Sequence, residues 1–128
     1  MFKQAQIYKC ASNPMAVEVV NAKGCESEME CCGKPMVLMP EKTFEDEGRE
    51  KHVPVLTEGQ SGSKVTVGAN PHPMEEDHYI EWVEIINGPY VNRKYLKPGE
   101  KPEADFYVPM QKGLVVRAYC NKHGLWRA

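Results

Sequence analysis

No stretch of this 128-residue chain approaches the roughly 20 consecutive apolar residues that a membrane-spanning helix needs. Charge of one sign is also missing. Sixteen Lys and Arg stand against 18 Asp and Glu, the net charge is −2, and there is no basic run. Neither nucleic acid nor an anionic membrane surface is therefore expected as a partner. Any anion the protein handles must be drawn by a local positive patch. The opening Met1-Phe2-Lys3-Gln4-Ala5-Gln6 is too polar and too short for a secretory signal, so a cytoplasmic location is expected. The chain lacks internal repeats, low-complexity tracts and any helical period of convincing length. Histidine is scarce, with four in all: His52, His72, His78 and His123.

Cysteine is present in an odd number: Cys10, Cys25, Cys31, Cys32 and Cys120. In a chain without a secretory signal, clustered cysteines point to metal or redox chemistry. The neighbours Cys31 and Cys32 are poor partners for each other in a disulfide, because adjacent residues rarely reach its geometry. Composition changes near residue 40. Residues 1–39 hold four of the five cysteines and no histidine, with short strand-like pieces at 6–8, 16–20 and 36–39. So small a segment cannot bury a core that supports it alone. Residues 40–51 are charged and read as a linker or exposed loop.

From His52 onward the chain reads as β. Candidate strands at 53–56, 64–67, 78–86, 90–96, 103–108 and 114–119 are separated by turn signals such as Asn87-Gly88-Pro89 and Lys97-Pro98-Gly99-Glu100. Short strands at this spacing predict an all-β sandwich. A hydrophobic content of 41% suffices for its core. Met36, Met39 and Trp82 read as core residues, and packing is also the simplest role for Trp126.

The chemistry gathers around the tail, Cys120-Asn121-Lys122-His123. A thiol and an imidazole three residues apart, just after a strand, can reach one ion. His72 is flanked by Pro71 and Pro73, which fix the backbone and hence the direction of the imidazole. His78 follows Glu75-Glu76-Asp77, carboxylates able to accept from a ligand's second N–H. His52 closes the triplet Glu50-Lys51-His52. Taken singly, each histidine reads most simply as a surface or turn residue. Taken together, four imidazoles and one thiolate exceed what tetrahedral zinc takes, and they suit iron with one position left open. An axial thiolate would push electron density onto that iron.

Glu50-Lys51-His52-Val53-Pro54, His72-Pro73-Met74-Glu75-Glu76-Asp77-His78-Tyr79-Ile80, Tyr95-Leu96-Lys97-Pro98-Gly99 and Tyr119-Cys120-Asn121-Lys122-His123-Gly124-Leu125-Trp126 resemble, in order and spacing, the desulfoferrodoxins or superoxide reductases. The resemblance covers essentially the whole chain. It implies an immunoglobulin-like β-sandwich over 40–128 with one mononuclear non-haem iron. His52, His72, His78 and His123 would be the equatorial ligands and Cys120 the axial one. It also implies an enzyme that reduces superoxide by one electron to hydrogen peroxide without releasing O2. Lys51 would attract superoxide and assist proton delivery, and Glu50 would occupy the sixth position at rest. A rubredoxin-like electron donor and a homodimer are implied as partners. Two other readings of the same ligands are an electron-transfer iron protein with a closed coordination sphere and a structural zinc β-sandwich.

Residues 1–39 resemble the small desulforedoxin-like (rubredoxin-type) β module. Its iron is held by a Cys-x-x-Cys pair and a later Cys-Cys pair. Here Cys10, Cys31 and Cys32 match three of the four positions, and Asn13 stands at the fourth. The resemblance therefore implies a vestigial second metal site rather than a second iron, with Cys25 as an extra thiol.

Overall fold

Runs of β-branched and aromatic residues, cut by Gly and Pro, form strands along the whole chain, with one helix of a single turn. The computed structural model describes residues 1–128. They divide into two units, Met1–Pro40 and Glu41–Ala128.

In the first unit, β1 (Ile7–Lys9) lies between β2 (Ala16–Glu18) and an outer strand, Val37–Leu38. A hairpin of β3 (Glu30–Cys31) and β4 (Lys34–Pro35) precedes that outer strand, β5. Tyr8 pairs with Val17 on one side and Leu38 on the other. Its buried apolar residues are only Ile7 and Cys10. Met36 and Met39, expected in a core, are half-buried, because there is too little sheet to cover them.

The second unit begins with α1 (Arg49–His52), followed by β6 (Pro54–Glu58), β7 (Ser63–Val67), β8 (Ile80–Asn87) and β9 (Tyr90–Tyr95). β10 (Glu103–Phe106), β11 (Val115–Cys120) and β12 (Gly124–Arg127) complete it. A three-stranded sheet, β10-β7-β6, and a four-stranded sheet, β12-β11-β8-β9, form the sandwich. β7 alternates with period two: Ser63, Val65 and Val67 are buried, Lys64 and Thr66 less so. Val65 and Val67 join Val83, Ile85, Val116 and Ala118 in one apolar core.

Two features differ from the sequence reading. The stretch read as a linker or exposed loop is mostly exposed, but its start is tied to the sandwich. The Lys42 N–H donates to the Leu125 carbonyl (2.9 Å), and the Arg127 N–H donates to the Lys42 carbonyl (2.7 Å). The tail after Cys120, where no strand was expected, turns back as β12, so Trp126 is buried opposite Ala118.

A β-bulge sits where β8 meets the end of β11. Tyr119 pairs with Trp82, but Cys120 pairs with Ile80, so Glu81 is the extra residue. The bulge resets the alternation of β8. Ile80 then faces the core with Cys120, while Trp82 stacks on Tyr119 outside it, with ring centroids 5.7 Å apart. On that outer face Glu84 is fully buried between Arg93 and Arg117, at 2.5 and 2.6 Å. This ionic cluster clamps β8 to β9 and β11.

Candidate metal centre

Five side chains from five places in the second unit converge. His52 ends α1, His72 lies in the loop after β7, and His78 precedes β8. Cys120 ends β11, and His123 lies in the turn to β12. One ligand atom from each lies within 4.8 Å of every other. His52, His72 and Cys120 are buried, His78 is half-buried and His123 is exposed at the rim.

Local bonding turns the imidazoles inward. His52 Nδ1 lies 2.8 Å from the Gly48 carbonyl, and His72 Nδ1 lies 2.7 Å from the Pro73 carbonyl. A carbonyl can only accept, so both Nδ1 atoms carry the proton and both Nε2 atoms keep a lone pair. For His52 and His72 the acceptors are backbone carbonyls, whereas the carboxylates before His78, readable either as acceptors or as a solvated acidic turn, are exposed. The chain turns tightly at 75–78 through reciprocal backbone bonds between Glu75 and His78, leaving Glu75, Glu76 and Asp77 exposed. Asn121 joins the two sides. Its Oδ1 accepts from the Tyr79 N–H and its Nδ2 donates to the Asp77 carbonyl, both at 3.0 Å. It thereby ties the His78 segment to the turn that carries His123.

The donor set fits a transition-metal ion. The Nε2 atoms of His72 and His78 are buried without any hydrogen-bond partner, a costly state for an imidazole nitrogen that a ligated ion would relieve. His52 Nε2 and His123 Nδ1 stand 3.0 Å apart. Two nitrogens bound at right angles to one ion, each at about 2.1 Å, would have about that separation. Cys120 Sγ accepts from the His123 N–H at 3.4 Å and lies 3.7 Å from His123 Nδ1. Burial pushes His52 and His123 below the usual histidine value and His72 down to about 4, which favours the neutral form that a ligating imidazole needs at these three. Burial raises the Cys120 thiol, so an arriving ion must displace its proton.

Trp126 has a larger part here than the sequence suggested. Its indole stacks on His52, and its Nε1 donates to the His123 carbonyl at 3.1 Å. Lys42 Nζ donates to the same carbonyl at 3.2 Å. Lys42 and Gly48 were not foreseen, because their contributions run through backbone partners and distant pairing. Glu50 and Lys51 are exposed on α1, next to His52 and outside the five-donor cluster. In the first unit, Cys10, Cys31 and Cys32 form a second cluster, with sulfurs within 4.8 Å of one another, and Cys25 is not part of it.

Known proteins resemble this chain in both sequence and fold. The desulfoferrodoxin family profile matches residues 44–128. A desulfoferrodoxin homologue of Archaeoglobus fulgidus is 50% identical over 128 residues, 100% of this chain and 99% of its own. The desulfoferrodoxin of Nitratidesulfovibrio vulgaris is 48% identical over 128 residues, 100% of this chain and 98% of its own. Among solved structures, the superoxide reductase from Treponema pallidum superposes with a TM-score of 0.73 at 25% identity over 96% of each chain. The family profile covers two thirds of the chain and relatives about half identical match its full length, so the chain belongs to the desulfoferrodoxin family.

Proposed function

We propose that the protein is a superoxide reductase acting at one iron held by His52, His72, His78, His123 and Cys120. Iron bound there would supply the single electron that, with two protons, takes superoxide to hydrogen peroxide without releasing O2. The observation that carries this reading is the convergence of four imidazoles and one thiol, with two buried Nε2 atoms left without partners. Full-length similarity to a family with solved superoxide reductases supports it.

Each residue then has a physical task. The Gly48 and Pro73 carbonyls hold His52 and His72 in the ligating tautomer. Cys120 is fully buried, so its sulfur is kept from water and from stray oxidation. Lys51, exposed beside His52, supplies a positive charge that draws a small anion to an otherwise acidic protein. Lys51 also assists proton delivery, and Glu50 covers the open position at rest. A rubredoxin-like donor returns the electron, and the working assembly is a homodimer.

The test is Cys120→Ser in anaerobically iron-loaded protein. The thiolate-to-iron charge-transfer absorption should vanish, and superoxide reduction followed by pulse radiolysis should fall with it. Survival of that absorption would remove Cys120 as a ligand and the reading with it.

A further inference from the structure

Cys10 follows β1, Cys31 ends β3, and Cys32 occupies the tight turn to β4. Their sulfurs lie within 4.8 Å of one another, with Cys31 Sγ and Cys32 Sγ 3.9 Å apart. The turn is made of Cys32 (φ 55°) and Gly33 (φ 76°), the paired positive φ values of a type I′ hairpin. Asn or Gly is the usual first residue there, and a cysteine in this left-handed conformation costs about 1–2 kcal/mol. The fold accepts that cost to place a third sulfur beside the other two.

The fourth corner is Asn13, and its bonding settles what it can do. Its Oδ1 accepts from the Met15 N–H at 2.9 Å, inside a loop closed by the Cys10 N–H on the Met15 carbonyl at 2.8 Å. Its Nδ2 points at Cys32 Sγ, 3.6 Å away. The amide therefore turns its N–H to the cluster and its oxygen to the Met15 N–H. An N–H donor stabilises a thiolate but cannot ligate an ion. The four-thiolate iron of a rubredoxin-type centre does not fit this set. The extra thiol is no substitute, since Cys25 is exposed, with its sulfur 3.8 Å from the Ser27 carbonyl.

We propose that Cys10, Cys31 and Cys32 form a three-thiolate site for a closed-shell thiophilic ion, Zn²⁺ or Cu⁺, with Asn13 as a hydrogen-bond donor to it rather than a ligand. Soft thiolates select these ions. Neither ion imposes a d-electron geometry, so three sulfurs suffice for Cu⁺, and Zn²⁺ adds a water on the exposed Cys32 side. The ion also has a structural task. With only Ile7 and Cys10 buried among its apolar residues, the Met1–Pro40 unit lacks a core, and a metal bridging β1 to the β3–β4 hairpin would staple it. This site is independent of the superoxide chemistry proposed for the second unit.

The experiment uses full-length, reduced protein under anaerobic conditions, titrated with Zn²⁺ or Cu⁺ and then desalted. Wild type is compared with Cys32→Ser and Cys31→Ser, in both of which the five donors of the second unit are intact. Wild type should retain about one more equivalent of ion than either variant. Limited proteolysis within residues 1–40 should be slowed by the ion in wild type only. Displacement of bound zinc by Cu⁺ identifies copper as the occupant, and its retention identifies zinc; both outcomes support the site. Asn13→Cys should gain the ferric tetrathiolate absorption that wild type lacks when loaded with iron. Equal metal content in wild type and Cys32→Ser would overturn the proposal, as would a ferric tetrathiolate spectrum from wild type.

Discussion

The indole of Trp126 lies against the imidazole of His52, with ring centroids 4.6 Å apart and planes 17° apart. A buried aromatic from the last strand thus sets the plane of a ligand from the first helix. Trp126→Ala should destabilise the fold by about 3–5 kcal/mol through lost burial and the cavity left behind. It should also weaken metal retention, because His52 loses its stacking partner and His123 loses the N–H on its carbonyl. Trp126→Phe keeps the stack and should lose less of both. Urea unfolding of metal-free protein and dialysis against a chelator measure the two effects separately. Unchanged metal retention in Trp126→Ala would contradict a positioning role.

Gly68 links two ligand segments. It is buried at φ 86°, and an added Cβ would fall 2.6 Å from the Lys51 carbonyl oxygen and collide with that of Asn70. The surrounding turn is held by the Gly68 N–H on the Val53 carbonyl (3.1 Å) and the Asn70 N–H on the Glu50 carbonyl (2.9 Å). Gly68→Ala should therefore cost at least about 2 kcal/mol in strain and overpacking. It should also loosen His52 and His72 together. Parallel loss of thermal stability and bound metal is the expected result, and a stable variant with full metal content would refute the link.

Acid should undo the centre before it undoes the sheet. His72 sits at about 4 when folded against 6.5 when free, and burial lowers His52 and His123 as well. Between these values the unfolded chain binds more protons, so the stability of metal-free protein rises with pH. That contribution is complete above pH 6.5 and is lost as the pH falls towards about 4. Protons also compete with the ion for the same nitrogens, so metal release should follow the same window. Urea midpoints of the metal-free protein at the two ends of the window check the sign. A midpoint that rose on acidification would be inconsistent with buried neutral imidazoles.

Much of this site was readable because its ligands are scarce residue types in constrained settings. His72 between two prolines, His78 after an acidic turn and Cys120 three residues before His123 lie in loops or at strand ends, and the fold brings them together. Their partners were not readable. The Gly48 and Pro73 carbonyls carry no side-chain signal, and the Lys42–Trp126 pairing joins residues 84 positions apart. β12 is four residues of Gly-Leu-Trp-Arg, too short for a period to emerge. The bulge at Glu81 was hidden for a related reason. A stretch rich in aromatic and β-branched residues such as 78–86 reads as one strand whether or not its register slips. Glu84 and Arg117 were equally opaque, since charges within strands ordinarily mean a solvated face.

That buried pair makes its own prediction. Glu84 is fully buried and is shared by Arg93 and Arg117, and Arg117 reaches Glu41 as well, at 3.1 Å. Glu84→Gln keeps the shape but removes the negative charge that Arg93 and Arg117 share, while Glu41 still reaches Arg117. Breaking a buried pair from one side costs about 3–5 kcal/mol, and the remaining carboxylate places this case near the lower end. Chemical denaturation should show that loss in metal-free and loaded protein alike, because Glu84 lies on the outer face of β8, away from the ligands. A loss confined to the loaded form would instead tie the pair to the metal centre.

Lys51 can be altered without touching the fold, which makes it the cleanest probe of substrate attraction. Its side chain is exposed, while its carbonyl is the atom packed against Gly68. Lys51→Ala should leave unfolding midpoints and metal content unchanged. Superoxide capture should slow by about tenfold at low ionic strength, the lower end of what electrostatic steering achieves. Salt should narrow the gap, since the screening length falls to about 10 Å at 0.1 M. Lys51→Arg keeps the charge and should retain most of the rate. Pulse radiolysis at two ionic strengths separates steering from proton delivery. A deficit that closes with added salt is steering, whereas a salt-independent deficit restored by small exogenous acids assigns Lys51 to the proton. A variant as fast as wild type at low salt would leave the lysine with neither task.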